Sequence, residues 1–209
     1  MESFEPFLRP TEIVDWLHPT VLERSRELAG GSVSPSETAR RCFEWVRDDI
    51  QHSGDFHRDP VTCLASETLR EGTGYCFAKS HLLATLLRAN GIPAGFCYQR
   101  LSIDGTGAPF SLHGLNAVHL PDFGWYRIDA RGNKPGVDAQ FCPPVEQLAF
   151  RIHLPGERAF SDILPDPLSV VVDALGSHST WDAMFANLPD WSEPSLDSRI
   201  ARWQVRSNA

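Results

Sequence analysis

Long hydrophobic runs are missing from this sequence, and its most apolar short stretches, such as residues 168–175, fall far short of the roughly 20 residues that cross a bilayer. Residues 1–10 carry two acidic side chains and two prolines, where a secretory signal would have a basic start and an apolar stretch. The five cysteines contain no C-x-x-C pair, which disfavours a zinc ribbon or a thioredoxin-like motif. We therefore expect a soluble protein of the reducing cytoplasm.

Basic residues are also in deficit, with 19 Lys and Arg against 27 Asp and Glu and a formal net charge of −8. This surplus of negative charge disfavours binding to nucleic acid and to anionic membranes. A chain of 209 residues with 42% hydrophobic residues can bury a core without disulfides or metal. We expect a single domain over residues 1–209, with its core at about 34–150 and a C-terminal extension at 151–209 that packs on it.

Helices are predicted in the first third of the chain. Residues 12–28 have apolar side chains at helical spacing, but Pro19 interrupts them, so we expect one short helix before it and a second that begins with it. Ser34 and Glu37 form a capping box and should begin a helix that runs to about residue 50. Another short helix is predicted at residues 65–70.

A polar stretch after the helix predicted at about residues 34–50 contains side chains of the types that bind metals, namely His52, Asp55, His57 and Asp59. Their spacing matches no compact metal motif, so solvated loop residues are the simpler interpretation. Another conceivable metal site combines Cys76 with His113 and His119. We expect neither set to hold a metal, and no cofactor is predicted.

Cys76 lies at the start of a predicted helix over residues 77–90 and follows two glycines. The free N–H groups and the positive dipole end at a helix N-terminus favour a thiolate, which is the nucleophilic form of cysteine. Lys79, one turn further on, could add to this effect or be solvated. A buried structural cysteine is the simpler alternative, and we expect that role for Cys42 on the helix that begins near Ser34.

The residues after this helix predict a strand at 94–103 and a β-hairpin over 113–129. With pairing centred near residue 121, His113 lies directly opposite Asp129, because opposed residues of an antiparallel pair share a face. A carboxylate in that position orients an imidazole and stabilises its cationic form. Polar strand ends near solvent are the simpler alternative for both residues.

A nucleophilic cysteine needs a base, and three histidines compete for that role. His81 is excluded, because a residue five positions further along the same helix points about 140° away from Cys76. His119 shares a face with His113 but lies beside the turn, farther from any partner acid. His113 is therefore the favoured base.

Three blocks of residues follow one another in the chain: Gly72-x-Gly74-x-Cys76-x-x-Lys79 with the helix after it, His113 at the start of a strand that ends Val118-His119-Leu120-Pro121, and Gly124-Trp125-Tyr126-Arg127-Ile128-Asp129. In residue types, order and spacing they resemble the transglutaminase-like superfamily of papain-like cysteine enzymes. Together they cover about 60 residues, and the resemblance is to the small single-domain members of bacterial type.

The resemblance implies an α+β fold with flanking N-terminal helices. A central helix carrying Cys76 packs on an antiparallel sheet that carries His113 and Asp129, and the three residues form a catalytic triad. The backbone N–H of Cys76 is a candidate for oxyanion stabilisation. Members of the family commonly have a large aromatic residue and an acid where this chain has Leu115 and Ala117, which leaves the pocket shape open. No acidic run of the calcium-binding type is present.

These residues predict a cysteine-dependent acyl-transfer enzyme whose partner is a peptide, a protein or a small amide substrate. Cys76 attacks the carbonyl, His113 acts as base and then as acid, and Asp129 orients His113. Hydrolysis by an amidase or peptidase is favoured over transfer to an amine, because water is always present and no acceptor site is visible. Two alternatives stay open: a non-catalytic transglutaminase-like binding module, and acyl transfer like that of arylamine acetyl-transferring enzymes.

The residues beyond about 137 match none of the three blocks. Residues 168–175 form a short apolar segment, and a helix is predicted from Trp181, which Thr180 can cap. Trp181, Trp191 and Trp203 are expected to pack on the core, with an aromatic cleft wall or a partner surface as the alternative.

Overall fold

The computed structural model of the protein describes residues 3–193 and the strand Trp203–Gln204. A 3₁₀ turn at Glu5–Phe7 comes first. The α-helices are α1 (Pro19–Ala29), α2 (Pro35–Asp49), α3 (Ser53–Phe56), α4 (Ala65–Glu71), α5 (Cys76–Ala89), α6 (Ser169–Gly176) and α7 (Trp181–Phe185).

The β-strands are β1 (Gln51–His52), β2 (Thr73–Gly74), β3 (Ala94–Ser102), β4 (Phe110–Leu120), β5 (Gly124–Ile128), β6 (Gln140–Cys142), β7 (Val145–Gln147), β8 (Arg158–Ala159), β9 (Asp162–Ile163) and β10 (Trp203–Gln204). The main sheet is antiparallel, in the order β5-β4-β3-β8. The expected combination of helices with an antiparallel sheet is confirmed.

The helix that begins at Pro19 is confirmed, but the expected helix before it is absent, and residues 12–18 form turns and bends. Oxygen atoms of this segment instead accept hydrogen bonds from backbone N–H groups at the start of α4. The carbonyl of Ile13 accepts the N–H of Ala65 at 3.2 Å, and the carboxylate of Asp15 accepts that of Ser66 at 3.1 Å. These N–H groups lie in the first turn of α4, where a helix offers them no internal partner.

The predicted start of α2 at Ser34 is confirmed, and one of the two hydrogen bonds of the capping box forms there. The side chain of Ser34 accepts the N–H of Glu37 at 3.2 Å. The carboxylate of Glu37 accepts the N–H of Val33 at 3.0 Å, one residue before the N-cap. Cys42 is fully buried on the inner face of α2, as its position in the apolar pattern predicts.

The central helix α5 is surrounded by α1, α2 and α4 and by the sheet, and residues 76–88 are buried. Its four leucines, Leu82, Leu83, Leu86 and Leu87, are completely buried, and each contributes about 1.5–3 kcal/mol by leaving water. On the sheet side, Asn116 of β4 donates to the carbonyl of Ser80 at 3.0 Å. The helix and β4 are therefore held together by both apolar and polar contacts.

The C-terminal part of the described chain packs on this core. Trp181 is buried, with its ring centroid 5.1 Å from that of Tyr75, and Trp191 is partly buried against the core. The side chain of Trp203 lies outside the described residues. Thr180 holds the N-cap position of α7, but its side chain makes no capping bond, and the carboxylate of Asp59 accepts the Trp181 N–H at 2.6 Å instead.

Among the described residues, no helix combines the length and the apolar character that a membrane span requires.

Candidate active site

The structure brings Cys76, His113 and Asp129 together. Cys76 is the first residue of α5, His113 lies on β4, and Asp129 directly follows β5. Nε2 of His113 lies 2.8 Å from Oδ2 of Asp129. The imidazole of His113 is also close enough to the side chain of Cys76 for that group to raise its pKa. The three side chains are all buried.

The pairing register differs from the one expected from the sequence. Leu120 pairs with Gly124, so the hairpin is centred on residue 122, and continued pairing would set His113 opposite Arg131. The loop between the strands has three residues, and Gly124, the first residue of β5, has φ +71°, a left-handed conformation that glycine adopts readily. This shift of two residues keeps His113 and Asp129 on the same face, as diagonal neighbours.

Three donors hold the carboxylate of Asp129. Besides the His113 imidazole, it accepts the backbone N–H groups of Arg131 and Ala149, each at 3.2 Å. Burial by itself raises the pKa of Asp129, but the positive charge of His113 and these hydrogen bonds outweigh it and hold the pKa below its ordinary value. Asp129 is therefore an anion at neutral pH.

The imidazole of His113 is a cation in the resting structure. Burial lowers its pKa, but the Asp129 carboxylate and the Cys76 sulfur outweigh burial and raise the pKa of His113 to about 10. The ring of Phe150 packs edge-on against the imidazole, with the centroids 5.0 Å apart and the planes at 89°. An imidazolium fixed beside the sulfur stabilises a thiolate.

The backbone at the start of α5 adds to this effect. Tyr75 is the N-cap, so the N–H of Cys76 belongs to the first helical turn, where N–H groups have no partner within the helix. The dipole of this helix places partial positive charge at the same end. The Cys76 N–H can therefore donate to an oxygen that becomes negative during attack by the sulfur.

Lys79 is neither solvated nor turned toward the thiolate. It is 1% exposed, and its Nζ donates to the carbonyl of Arg47 at 3.2 Å and to that of Ile50. Burial lowers the pKa of Lys79 to about 7. Its position in the first turn of α5 brings it to the C-terminal end of α2, so its amino group ties these two helices together at the site.

The polar stretch after α2 is not a solvated loop throughout. His52 is 5% exposed and lies on β1, which runs parallel to β2 and pairs His52 with Gly74, two residues before Cys76. Asp55 accepts two hydrogen bonds from Arg131, at 2.7 and 2.8 Å. His57 is exposed, as expected. A strand of two residues is too short to show an alternating pattern in the sequence. The one signal for burial of His52 was its spacing of two residues from the apolar Ile50, which places both side chains on the same face of an extended chain.

The competing histidines lie elsewhere. His81 is buried in the core, with Nδ1 2.8 Å from the carbonyl of Cys63. The ring of His119 packs against Phe4 and Trp125, with centroid distances of 4.4 and 5.5 Å. Neither metal set considered from the sequence is assembled, since no group of three or more His, Cys, Asp or Glu side chains suited to a metal occurs within the described part of the chain.

A cleft of about 990 Å³ opens onto Cys76 and His113, a size within the usual range of small-molecule sites. The C-terminal extension supplies part of its wall through Phe185 and Leu188, whereas Trp181 and Trp191 do not line it. Leu115 and Ala117, where the chain departs from the family pattern, do not line the cleft and are buried in a separate apolar cluster with Phe7, Cys97 and Ile163.

Comparison with solved structures finds similar folds. A candidate cysteine protease from Cytophaga hutchinsonii aligns over 63% of this chain and 43% of its own, with 19% identity and a TM-score of 0.51. The periplasmic domain of TgpA from Pseudomonas aeruginosa aligns over 54% of this chain and 42% of its own, with 19% identity and a TM-score of 0.41. This chain therefore spans less than half the length of either structure, and the first likeness supports the fold.

No curated protein sequence matches the chain. The family model described as "Transglutaminase-like superfamily" matches residues 23–130, which is just over half of the chain. The matched region contains Cys76, His113 and Asp129. On this match, together with the fold that places the three residues side by side, the protein belongs to the transglutaminase-like superfamily.

Proposed function

We propose that the protein is a cysteine-dependent acyl-transfer enzyme that acts on an amide or peptide bond. Cys76 is the nucleophile, His113 the general acid and base, and Asp129 the group that orients His113. The observation that carries the proposal is the position of the His113 imidazole, whose Nε2 lies 2.8 Å from Oδ2 of Asp129 and which lines the same cleft as Cys76, close enough for that side chain to raise its pKa.

In the first step, the thiolate of Cys76 attacks the carbonyl carbon and a C–S bond forms. The negative charge that develops on the carbonyl oxygen accepts a hydrogen bond from the Cys76 N–H. The imidazolium of His113 then donates its proton to the nitrogen of the substrate as the C–N bond breaks. The products of this step are a free amine and a thioester on Cys76.

In the second step, His113 is neutral and acts as the base. It accepts a proton from the incoming water or amine as the oxygen or nitrogen of that group attacks the thioester carbonyl. The C–S bond breaks, the thiolate returns, and the imidazolium is restored. Asp129, which remains an anion throughout, stabilises the imidazolium at both stages.

Hydrolysis is the outcome that we favour, because the cleft is open and water is present at far higher concentration than any amine. We also propose that the protein is located in the cytoplasm. The free thiols of all five cysteines support this location. Its substrate is a peptide, a protein or a small amide that enters the cleft beside Cys76.

An activated ester tests the proposal directly. The enzyme is mixed with excess p-nitrophenyl acetate, the burst of nitrophenol is recorded, and the acetylated residue is located by mass spectrometry. The expected result is a burst of about one equivalent with acetyl on Cys76, absent in Cys76→Ala and retained in Cys142→Ala, a matched change at an exposed thiol. A burst that survives in Cys76→Ala contradicts the proposal, and the absence of acylation favours a binding module.

A further inference from the structure

A second imidazole lies on the wall of the same cleft. Because β1 and β2 are parallel, His52 is paired with Gly74, and its ring lies against that of Tyr75 with a centroid distance of 5.1 Å. Only 5% of His52 is exposed, yet the residue lines the cleft beside Cys76. It is close enough to His113 for the charge of that residue to lower the pKa of His52.

The two ring nitrogens of His52 have different surroundings. Nδ1 is buried without a hydrogen-bond partner and lies 3.6 Å from Oδ2 of Asp55. Asp55 is held as an anion by Arg131 and by Lys134, which donates at 2.6 Å, and despite partial burial these bonds lower its pKa to about 2. A proton on Nδ1 faces that carboxylate favourably, whereas a lone pair there is repelled. Nε2 therefore carries the lone pair, and it makes no hydrogen bond within the described part of the chain.

The surroundings of His52 also keep it neutral. Burial, together with the charges of Arg131, Lys79 and His113, lowers its pKa well below the ordinary value, and the opposing effect of Asp55 is smaller. A neutral imidazole with its proton on Nδ1 offers one acceptor atom. The cleft thus contains an uncommitted hydrogen-bond acceptor close to the cationic His113.

The position of His52 is constrained by its neighbours. A Cβ atom on Gly54 would lie 2.8 Å from the Trp181 ring and 3.1 Å from Cε1 of His52, so only glycine fits behind the imidazole. Lys79 holds the carbonyl of Ile50, two residues before His52. A side chain held in this way loses little entropy when it binds a group in the cleft.

We propose that Nε2 of His52 accepts a hydrogen bond from the group that is exchanged at the acyl carbon: the amine that leaves in the first step and the water or primary amine that enters in the second. The inference rests on the proposed function. Leaving and entering groups occupy the same position, because the second step is the chemical reverse of the first. One acceptor can therefore serve both.

The proposal has a consequence for the class of acceptor. An attacking primary amine has two N–H bonds; it gives one proton to His113 and keeps one N–H for Nε2 of His52. Water likewise gives one proton to His113 and donates the other to His52. A secondary amine has a single N–H, which goes to His113, so nothing remains for His52. The site is thus expected to select water and primary amines over secondary amines.

The test uses the full chain with Cys76 acetylated by p-nitrophenyl acetate, whose leaving phenolate needs no hydrogen bond from His52. Glycinamide, a primary amine, and its N-methyl derivative, a secondary amine, compete with water for the acyl group, and the products are counted. In the natural sequence we expect glycinamide to be preferred. In His52→Phe we expect that preference to fall by up to about tenfold, together with slower hydrolysis.

Three further variants sharpen this test. His52→Gln places an amide oxygen near the position of Nε2 and should restore part of the preference, whereas His52→Asn is too short and should not. His57→Gln, an exposed change nearby, is the matched control and should match the natural sequence. An unaltered preference and hydrolysis rate in both His52→Phe and His52→Asn overturn the inference. Absence of the Cys76-dependent burst in the natural sequence instead overturns the proposed function.

A measurement on the unaltered protein tests the inference even if these variants fail to fold. The ¹⁵N chemical shifts of the imidazoles report where each proton resides. We expect His52 to be neutral with its proton on Nδ1 at pH 7, and the proton to move to Nε2 in Asp55→Asn, where an amide N–H can face Nδ1. A proton on Nε2 of His52 in the natural sequence overturns the inference whether or not the enzyme is active.

Discussion

Nε2 of His113 lies 2.8 Å from Oδ2 of Asp129, although the hairpin register would set His113 opposite Arg131. Asp129 has left the strand at this point, and its carboxylate is held by the backbone N–H groups of Arg131 and Ala149. The pair therefore depends on the chain after β5 as much as on the strands themselves, and the charge of Asp129 is fixed before any substrate binds.

Replacing Asp129 by asparagine removes that charge and keeps the shape. We expect the rate of Cys76 acylation by p-nitrophenyl acetate to fall by about 10²–10⁴-fold, because the imidazolium loses its stabilising partner. The measurement is the rate of the nitrophenol burst with the ester in excess over the enzyme. Asp138→Asn, which changes a carboxylate elsewhere on the cleft wall, is the control and should be close to the natural sequence. A near-normal acylation rate in Asp129→Asn would contradict the role of Asp129 in orienting His113 and stabilising its cation.

The raised pKa of His113 predicts a pH dependence of stability. Its folded pKa of about 10 exceeds the unfolded value of about 6.5, so its protonation stabilises the fold fully below pH 6.5. That contribution is lost as the pH rises toward 10. We expect the difference in unfolding free energy between the natural sequence and His113→Gln to shrink between pH 6.5 and 9 in urea titrations. A difference that stays constant or grows would mean that His113 is neutral in the folded protein.

Gly114, next to His113, allows β4 to approach α5 closely. A Cβ atom there would lie 2.8 Å from Cδ1 of Phe77 and 3.4 Å from its Cα. Gly114→Ala should therefore push the helix that carries Cys76 away from the strand that carries His113, with a loss of about 1–3 kcal/mol in stability and slower acylation. Gly176→Ala, with nothing within 4 Å of the added atom, is the matched control. Equal thermal stability of the two variants would contradict the packing argument.

Much of this site could be predicted from the sequence. The glycines before Cys76 and the leucine-rich segment after it predicted α5. Alternating residues on either side of a turn predicted β4 and β5. These signals are local, and each follows from the backbone preferences of a few neighbouring residues. The resemblance to a family then joined them into one site, which spacing along the chain could not do alone.

The parts that the sequence did not predict depend on distant contacts. Lys79 is buried because the carbonyls of Arg47 and Ile50, about 30 residues earlier, accept its hydrogen bonds. His52 reaches the cleft through a two-residue strand that pairs with Gly74, and a strand so short has no pattern to recognise. The hairpin register depends on the length of the loop before Gly124. Moving the centre of the hairpin by one residue gives every residue of β4 a different partner on β5.

Alkylation of the native protein by iodoacetamide, followed residue by residue by mass spectrometry between pH 5 and 9, tests the central claim most directly. Burial raises the pKa of Cys42, Cys63 and Cys97 to about 12, so these three should resist modification. Cys142 is exposed and serves as the internal reference for an ordinary thiol. The account predicts that Cys76 reacts much faster than Cys142 at pH 6, because an imidazolium and a helix N-terminus next to a cysteine both favour its nucleophilic form. Reaction of Cys76 no faster than that of Cys142 at every pH would contradict the nucleophile assigned here.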